Sequence, residues 1–343
     1  MTPASGNCTV SPQAPPGGTI TANSATALAF APDGRLFFTE RSGTVRVFQN
    51  GQSRVFATVN TVTTEPGGGY SERGLLGLAI DPNFNQNRFV YAFYSDPDYS
   101  NQEVIRWTDC GGAGTASKIL VVLPAGAGCC HKGGRLAFGP DGKLYVSLGE
   151  ERNPPVAQNT SDVRGKVLRY NSDGSVPADN PFGPGDPVWV YGLRNPFGIA
   201  FSPGGQLAIT NNGPSGELNG PATGYDTVIF AALRGSGYQW PNCYGYSHPN
   251  AGVSTCGPGL APDWSSETAT VVPTGATFVD ATGPPAEAGK LVVCTVDKGM
   301  LVFTPGSPQG PVVPGPPNCL LDVKEGPNHA LYFASFTSID RLG

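Results

Sequence analysis

Six times along the chain an apolar stretch runs into a turn of Pro, Asp, Asn or Gly and out again into a second apolar stretch. The copies begin at Leu28-Ala-Phe-Ala-Pro-Asp-Gly, Leu78-Ala-Ile-Asp-Pro, Leu136-Ala-Phe-Gly-Pro-Asp-Gly, Ile199-Ala-Phe-Ser-Pro-Gly-Gly, the divergent Ala276-Thr-Phe-Val-Asp, and Val323-Lys-Glu-Gly-Pro-Asn. Asp-Gly and Gly-Gly supply the positive φ that tight hairpin turns require, so each copy predicts two antiparallel strands. The copies stand roughly 45 to 80 residues apart, a period that suits one four-stranded propeller blade each, with insertions. Six copies predict an all-β, six-bladed β-propeller over residues 26–343, with residues 1–25 as an extension that closes the ring on the last blade.

The first blade is the cleanest. Strands are expected over 26–31, 34–40, 43–49 and 52–58, punctuated by Asp33-Gly34, Ser42-Gly43 and Asn50-Gly51. Residues alternate along Thr44-Val-Arg-Val-Phe, as they do when the two faces of a strand meet different surroundings. No segment sustains a 3.6-residue apolar period for three turns, so helix is predicted to be almost absent.

Composition narrows the class of partner. The 48 Gly and 34 Pro accompany 39% hydrophobic residues in alternating patterns, which excludes a disordered chain. A net charge of −5 and a charged fraction of 14% offer no basic stripe for nucleic acid or anionic lipid. No apolar run approaches the ~20 residues of a membrane span, and the opening Met-Thr-Pro-Ala-Ser-Gly-Asn-Cys has no basic and apolar leader. Eight cysteines without a CxxC spacing predict disulfides, and hence a secreted or periplasmic domain rather than a cytosolic one. Cys243–Cys256, flanking a Gly/Pro/Asn-rich loop, is the expected pair. Cys110 is within reach of Cys129 or Cys130, the alternative being that these two neighbours go to separate partners.

Candidate chemistry emerges from the register of the repeats. The residues just before the first strand of each blade converge on one mouth of the central channel. Arg73, His131 and Arg194 each stand five residues before a repeat, and Glu72 and Asn195 lie beside two of them. His248 and His329 read as loop residues, and Asp81, Asp141 and Asp322 as turn residues with local Asx hydrogen bonds. Asn212-Gly-Pro-Ser-Gly-Glu-Leu-Asn combines exposed carbonyls, amides and a carboxylate, hard oxygen ligands that suit Ca²⁺.

From Leu28 to Leu342 the chain resembles the soluble glucose/sorbosone (aldose sugar) dehydrogenases, six-bladed propellers that use pyrroloquinoline quinone (PQQ) with calcium. The resemblance is carried by Glu72-Arg-Gly-Leu-Leu-Gly-Leu-Ala, His131-Lys-Gly-Gly-Arg-Leu-Ala-Phe, Gly165-Lys-Val-Leu-Arg-Tyr, Tyr191-Gly-Leu-Arg-Asn-Pro-Phe-Gly, Asn212-Gly-Pro through Glu217-Leu-Asn, and Gly237-Tyr-Gln-Trp-Pro. It implies that His131 is the general base and that Arg194 stabilises charge on the reduced quinone. It further implies cofactor contacts at Glu72, Arg73, Asn195, Asn212 and Lys298, and calcium held by Gly213, Pro214 and Glu217. Tyr191, Tyr238 and Trp240 would form an aromatic wall.

The chain departs from the family's pattern at Asn212, usually Gln or His, and at Glu72, often Gln. Where the last blade usually reads Arg-x-Arg-Asp-Val, this chain has Cys319-Leu320-Leu321-Asp322-Val323, and the blade-five lysine falls one position late at Lys298. The expectation is a quinoprotein that oxidises aldoses to lactones and passes electrons to an external acceptor, with a weakened clamp for the anionic cofactor. A calcium-dependent lactonase-like hydrolase and a non-catalytic binding propeller are the alternatives.

Overall fold

The computed structural model describes residues 8, 10–307, 310–312 and 315–343. Its strands form six sheets in a ring, five of them four-stranded and one three-stranded, plus a small hairpin outside the ring. Blade one comprises Ala25–Phe30, Leu36–Glu40, Thr44–Gln49 and Gln52–Thr58, within two residues of the expected boundaries. Blade two spans Leu75–Pro124, blade three Gly133–Val190 and blade four Pro196–Ser265. Blade five is the three-stranded sheet Pro273–Phe278, Leu291–Thr295 and Gly299–Phe303. Blade six takes its fourth strand from the other end of the chain: Ile20 pairs with Ile339 and Thr21 with Ser338. Helix among the described residues amounts to one four-residue turn, Phe84–Asn87, and two short 3-10 segments.

The strand sequences follow from position in the blade. Second strands such as Leu36–Glu40, Leu144–Leu148 and Leu291–Thr295 are buried along their whole length, because both faces meet adjoining blades. The outer strand Gln52–Thr58 buries only Phe56. Six apolar clusters lie one at each junction, from blades one and two round to blades six and one, so the core is a ring of interfaces. At the axis the first strands approach closely. A Cβ on Gly77 would strike the Gly134 carbonyl, and one on Gly198 the Thr274 carbonyl.

Two expectations are corrected here. Asp81 and Asp141 do accept local Asx bonds, from the Asn83 and Lys143 amides. Asp322 does not: fully buried at the axis, it accepts the Leu28 N–H at 2.8 Å and pairs with Arg135 at 3.2 Å. Arg135 in turn donates to Thr26 O and Leu321 O, so one guanidinium ties blades one, three and six. The cysteines form four disulfides, Cys8–Cys110, Cys129–Cys130, Cys243–Cys256 and Cys294–Cys319. Cys243–Cys256 is the pair expected. Cys110 instead reaches the N-terminal segment, and Cys129 and Cys130 close on each other. Sequence spacing carries no information on which distant segments lie side by side.

Candidate active site at the mouth of the channel

The loops that precede the first strands of blades two, three and four meet in a cleft of about 690 Å³ measured to its open mouth. Glu72, Cys130, His131, Arg152, Arg194, Asn195, Asn212, Gly213, Pro214 and Asp226 line it. His131 is 2% exposed and has φ +64°, and its Nδ1 is bonded to Oε1 of Glu150, which is fully buried. Glu150 follows the second strand of blade three. In that hairpin Gly133 pairs with Leu148, so the residues flanking the pair, His131 and Glu150, are returned to each other.

Glu72 organises the main chain around the histidine. Its Oε2 accepts from the His131 amide at 2.8 Å, the Lys132 amide at 3.2 Å and Asn195 Nδ2 at 3.2 Å. Asn195 Oδ1 takes the Gly133 amide, and its Nδ2 also reaches Asn212 Oδ1. Glu72, Asn195 and Asn212 are thus one network that joins three blades.

Arg194, 3% exposed, donates Nη2 to Glu217 Oε1 at 2.7 Å and to Ser215 Oγ at 3.0 Å. The same Glu217 oxygen accepts from Arg152 Nη1 at 2.9 Å and stands 3.6 Å from His131 Nε2. Its other oxygen takes the Ser215 amide. The carboxylate expected to hold calcium therefore faces two guanidinium groups. The Gly213 and Pro214 carbonyls accept no hydrogen bond among the described residues. No cluster of three or more His, Cys, Asp or Glu among those residues is arranged to hold a metal.

Electrostatics follow from this enclosure. Burial first, then the Arg194 charge, pushes His131 well below its ordinary value and keeps the imidazole neutral. Burial raises Glu150 to about 8 and also lifts Glu72 above the usual carboxylate range. For Glu217 burial acts upward, but the Arg194 charge and hydrogen bond outweigh it and hold the carboxylate ionised. A neutral imidazole backed by a buried carboxyl, facing a cleft, can accept a proton from a bound hydroxyl.

Some expected residues lie elsewhere. Arg73 is buried beneath the cleft, bonded to Glu65 at 3.1 Å and to Gly126 O at 3.0 Å, with its guanidinium over Tyr99. Lys298 sits in the turn between the last two strands of blade five, its side chain 49% exposed and paired with Asp297. Tyr238 and Trp240 wall a smaller adjoining cavity, with Trp240 5.7 Å from the Arg194 guanidinium, while Tyr191 packs edge-on against Phe182. His248 and His329 are exposed and paired with Glu267 and Glu325; His329 lies in a turn, whereas His248 stands not in a loop but in the small hairpin outside the ring, opposite Tyr244. Sequence reading missed Glu150, Arg152 and Asp226. Only for Glu150 was there a signal, its near-symmetry with His131 about the Pro140-Asp141-Gly142 turn.

The fold and this site define a class, closed six-bladed propellers with a buried His–Glu pair at one mouth of the channel. Within that class the sequence family described as Glucose / Sorbosone dehydrogenase matches residues 22–335, and the chain belongs to that family. Quinoprotein glucose dehydrogenase B of Acinetobacter calcoaceticus is 33% identical over 252 residues, which are 64% of this chain and 50% of that protein. Aldose sugar dehydrogenase YliI of Escherichia coli is 32% identical over 257 residues, 66% of this chain and 62% of that protein. The matches thus span about half to three-fifths of these curated relatives. The crystal structure of the soluble aldose sugar dehydrogenase from Escherichia coli in its apo form superposes with a TM-score of 0.77 at 25% identity, covering 94% of this chain and 98% of that one.

Proposed function

We propose that this chain is a PQQ- and calcium-dependent sugar dehydrogenase that oxidises aldoses to lactones and passes the electrons to an external acceptor, in a secreted or periplasmic setting that suits its four disulfides. The observation that carries the reading is the buried His131–Glu150 pair facing a cleft lined by Arg194. The relative named a quinoprotein supports the choice of cofactor.

The residues present fit the quinone and a divalent cation at one end of the cleft. Arg194 Nε is buried without a partner among the described residues, and the Gly213 and Pro214 carbonyls are free to take a hard cation. When bound, the quinone supplies the acceptor for the hydride that leaves the anomeric carbon. His131 Nε2 takes the proton of the anomeric hydroxyl as the carbonyl forms, while Glu150 holds the ring from the Nδ1 side. Arg194 offers a fixed positive charge to the developing anion, and Asn195 and Asn212 keep the Glu72 carboxylate in place.

The binding-propeller alternative has one observation in its favour, since Glu217 already pairs with both Arg194 and Arg152 and offsets one of their two charges. Titration of the purified protein with PQQ and Ca²⁺, followed by absorbance and by dye reduction with a panel of aldoses, separates the two. The expected result is a spectral change and sugar-dependent reduction that His131→Ala lowers by about 10²–10⁴-fold. Absence of both at saturating cofactor sinks the dehydrogenase reading.

A further inference from the structure

The residues immediately before His131 are Cys129 and Cys130, joined to each other with their Cα atoms 3.7 Å apart. A disulfide between sequence neighbours closes a small covalent ring through the intervening peptide and removes most of the torsional freedom of both residues. The ring is half-buried, and Cys130 forms part of the cleft wall beside His131.

The ring stands where the chain most needs restraint. His131 occupies the left-handed region at φ +64°, which a non-glycine residue holds only when its surroundings over-determine it. Downstream and laterally the surroundings do so. The His131 and Lys132 amides are bonded to Glu72, and the His131 carbonyl accepts the Glu151 amide at 3.2 Å. Gly149 has no side chain because a Cβ there would strike that same carbonyl. Upstream the ties are the Glu72 amide, 2.7 Å from Cys129 O, the Ser71 hydroxyl, which donates to the same carbonyl at 3.4 Å, and the ring itself. Neither Cys8–Cys110 nor Cys294–Cys319 contributes a residue to the cleft.

We propose that the Cys129–Cys130 ring is a positioning element for His131: it holds the backbone in the left-handed turn that aims Nδ1 at Glu150 and Nε2 into the cleft. This rests on the reading of His131 as the base. A base displaced by about 1 Å loses on the order of 10²-fold in rate while the sugar subsite stays intact, so opening the ring lowers kcat much more than it raises KM.

The test uses the double variant Cys129→Ser/Cys130→Ser, with Cys8→Ser/Cys110→Ser as a control that also removes one disulfide. The first is expected to lower kcat by about ten- to a hundredfold with KM within about threefold, and the control to leave both unchanged. A second readout needs no turnover. With three histidines in the chain, the low-field proton shared by His131 Nδ1 and Glu150 can be followed by NMR, together with exchange of the His131 and Lys132 amides. In the ring variant that proton signal is expected to broaden or vanish and both amides to exchange faster. If the serine variant does not fold, the wild type is treated with dithiothreitol until mass mapping shows the ring alone opened. Two electrons and two protons then pass to the cysteine sulfurs, and dithiothreitol closes to its cyclic disulfide. An unchanged proton signal with unchanged kcat overturns the proposal. A wild type inactive with every sugar overturns the dehydrogenase reading instead, and the NMR comparison still decides the role of the ring.

Discussion

In the proposed reaction Glu150 decides whether His131 Nε2 faces the cleft as an acceptor. Burial raises its carboxyl to about 8. Below that pH the protonated carboxyl donates to Nδ1 and leaves the ring proton on Nε2, where it blocks proton abstraction. Above it the carboxylate accepts from Nδ1–H and frees the Nε2 lone pair. We therefore expect kcat/KM to rise with pH through about 8, and Glu150→Gln to abolish that limb and lower the plateau by roughly 10²-fold. An unaltered pH profile in the variant would remove Glu150 from the proton path. His131, Arg194 and Asn195 were legible in sequence because repeats carry register, and equal offsets in equivalent blades put residues at one mouth. Glu150 was harder to see, since its partnership depends on hairpin pairing rather than on repeat offset.

At the scale of strands and their connections, the last blade shows where register misleads. Cys319, one of the positions where the family usually has arginine, is fully buried between blades five and six and bonded to Cys294; Leu321 packs at the junction of blades six and one. Neither side chain lines the cleft. Arginines placed at both positions are therefore not expected to rebuild a clamp. Cys319→Arg/Leu321→Arg loses a disulfide and buries two unpaired cations, at a cost on the order of 3–5 kcal/mol or more. The check is thermal unfolding, with Tm expected to fall by about 10 °C or more. A stable variant with tighter PQQ binding would show instead that these strand ends can turn outward. Lys298 teaches the same lesson. It falls in no strand at all, and the turn between Leu291–Thr295 and Gly299–Phe303 carries this lysine to solvent.

The whole ring is held at two places that no single blade contains. At its rim the N-terminal strand Ile20–Thr21 completes blade six, covering an edge that would otherwise be open. At its axis the buried Arg135 and Asp322 join blades one, three and six. Arg135→Met removes the nearer of the two cations paired with Asp322, leaving Lys324 at 3.5 Å, for an expected loss of about 3 kcal/mol. Adding Asp322→Asn should recover part of it, because the buried charge is gone. Urea unfolding of the single and double variants measures both, and a double variant no better than the single would mean that the guanidinium matters through its carbonyl bonds alone. The sequence by itself determined the six blades, most strand boundaries in the first of them and the loops that face the channel mouth. Each of these follows from local alternation, turn chemistry and a repeat period. Tertiary structure alone decided the partners of Cys8, Cys110, Cys129 and Cys130, the axial role of Asp322, the burial of Cys319 and the capture of Glu217 by Arg194 and Arg152. Except for the Cys129–Cys130 pair, whose two residues could each have gone elsewhere, those are contacts between separate segments of the chain, and their geometry exists only once the ring has closed.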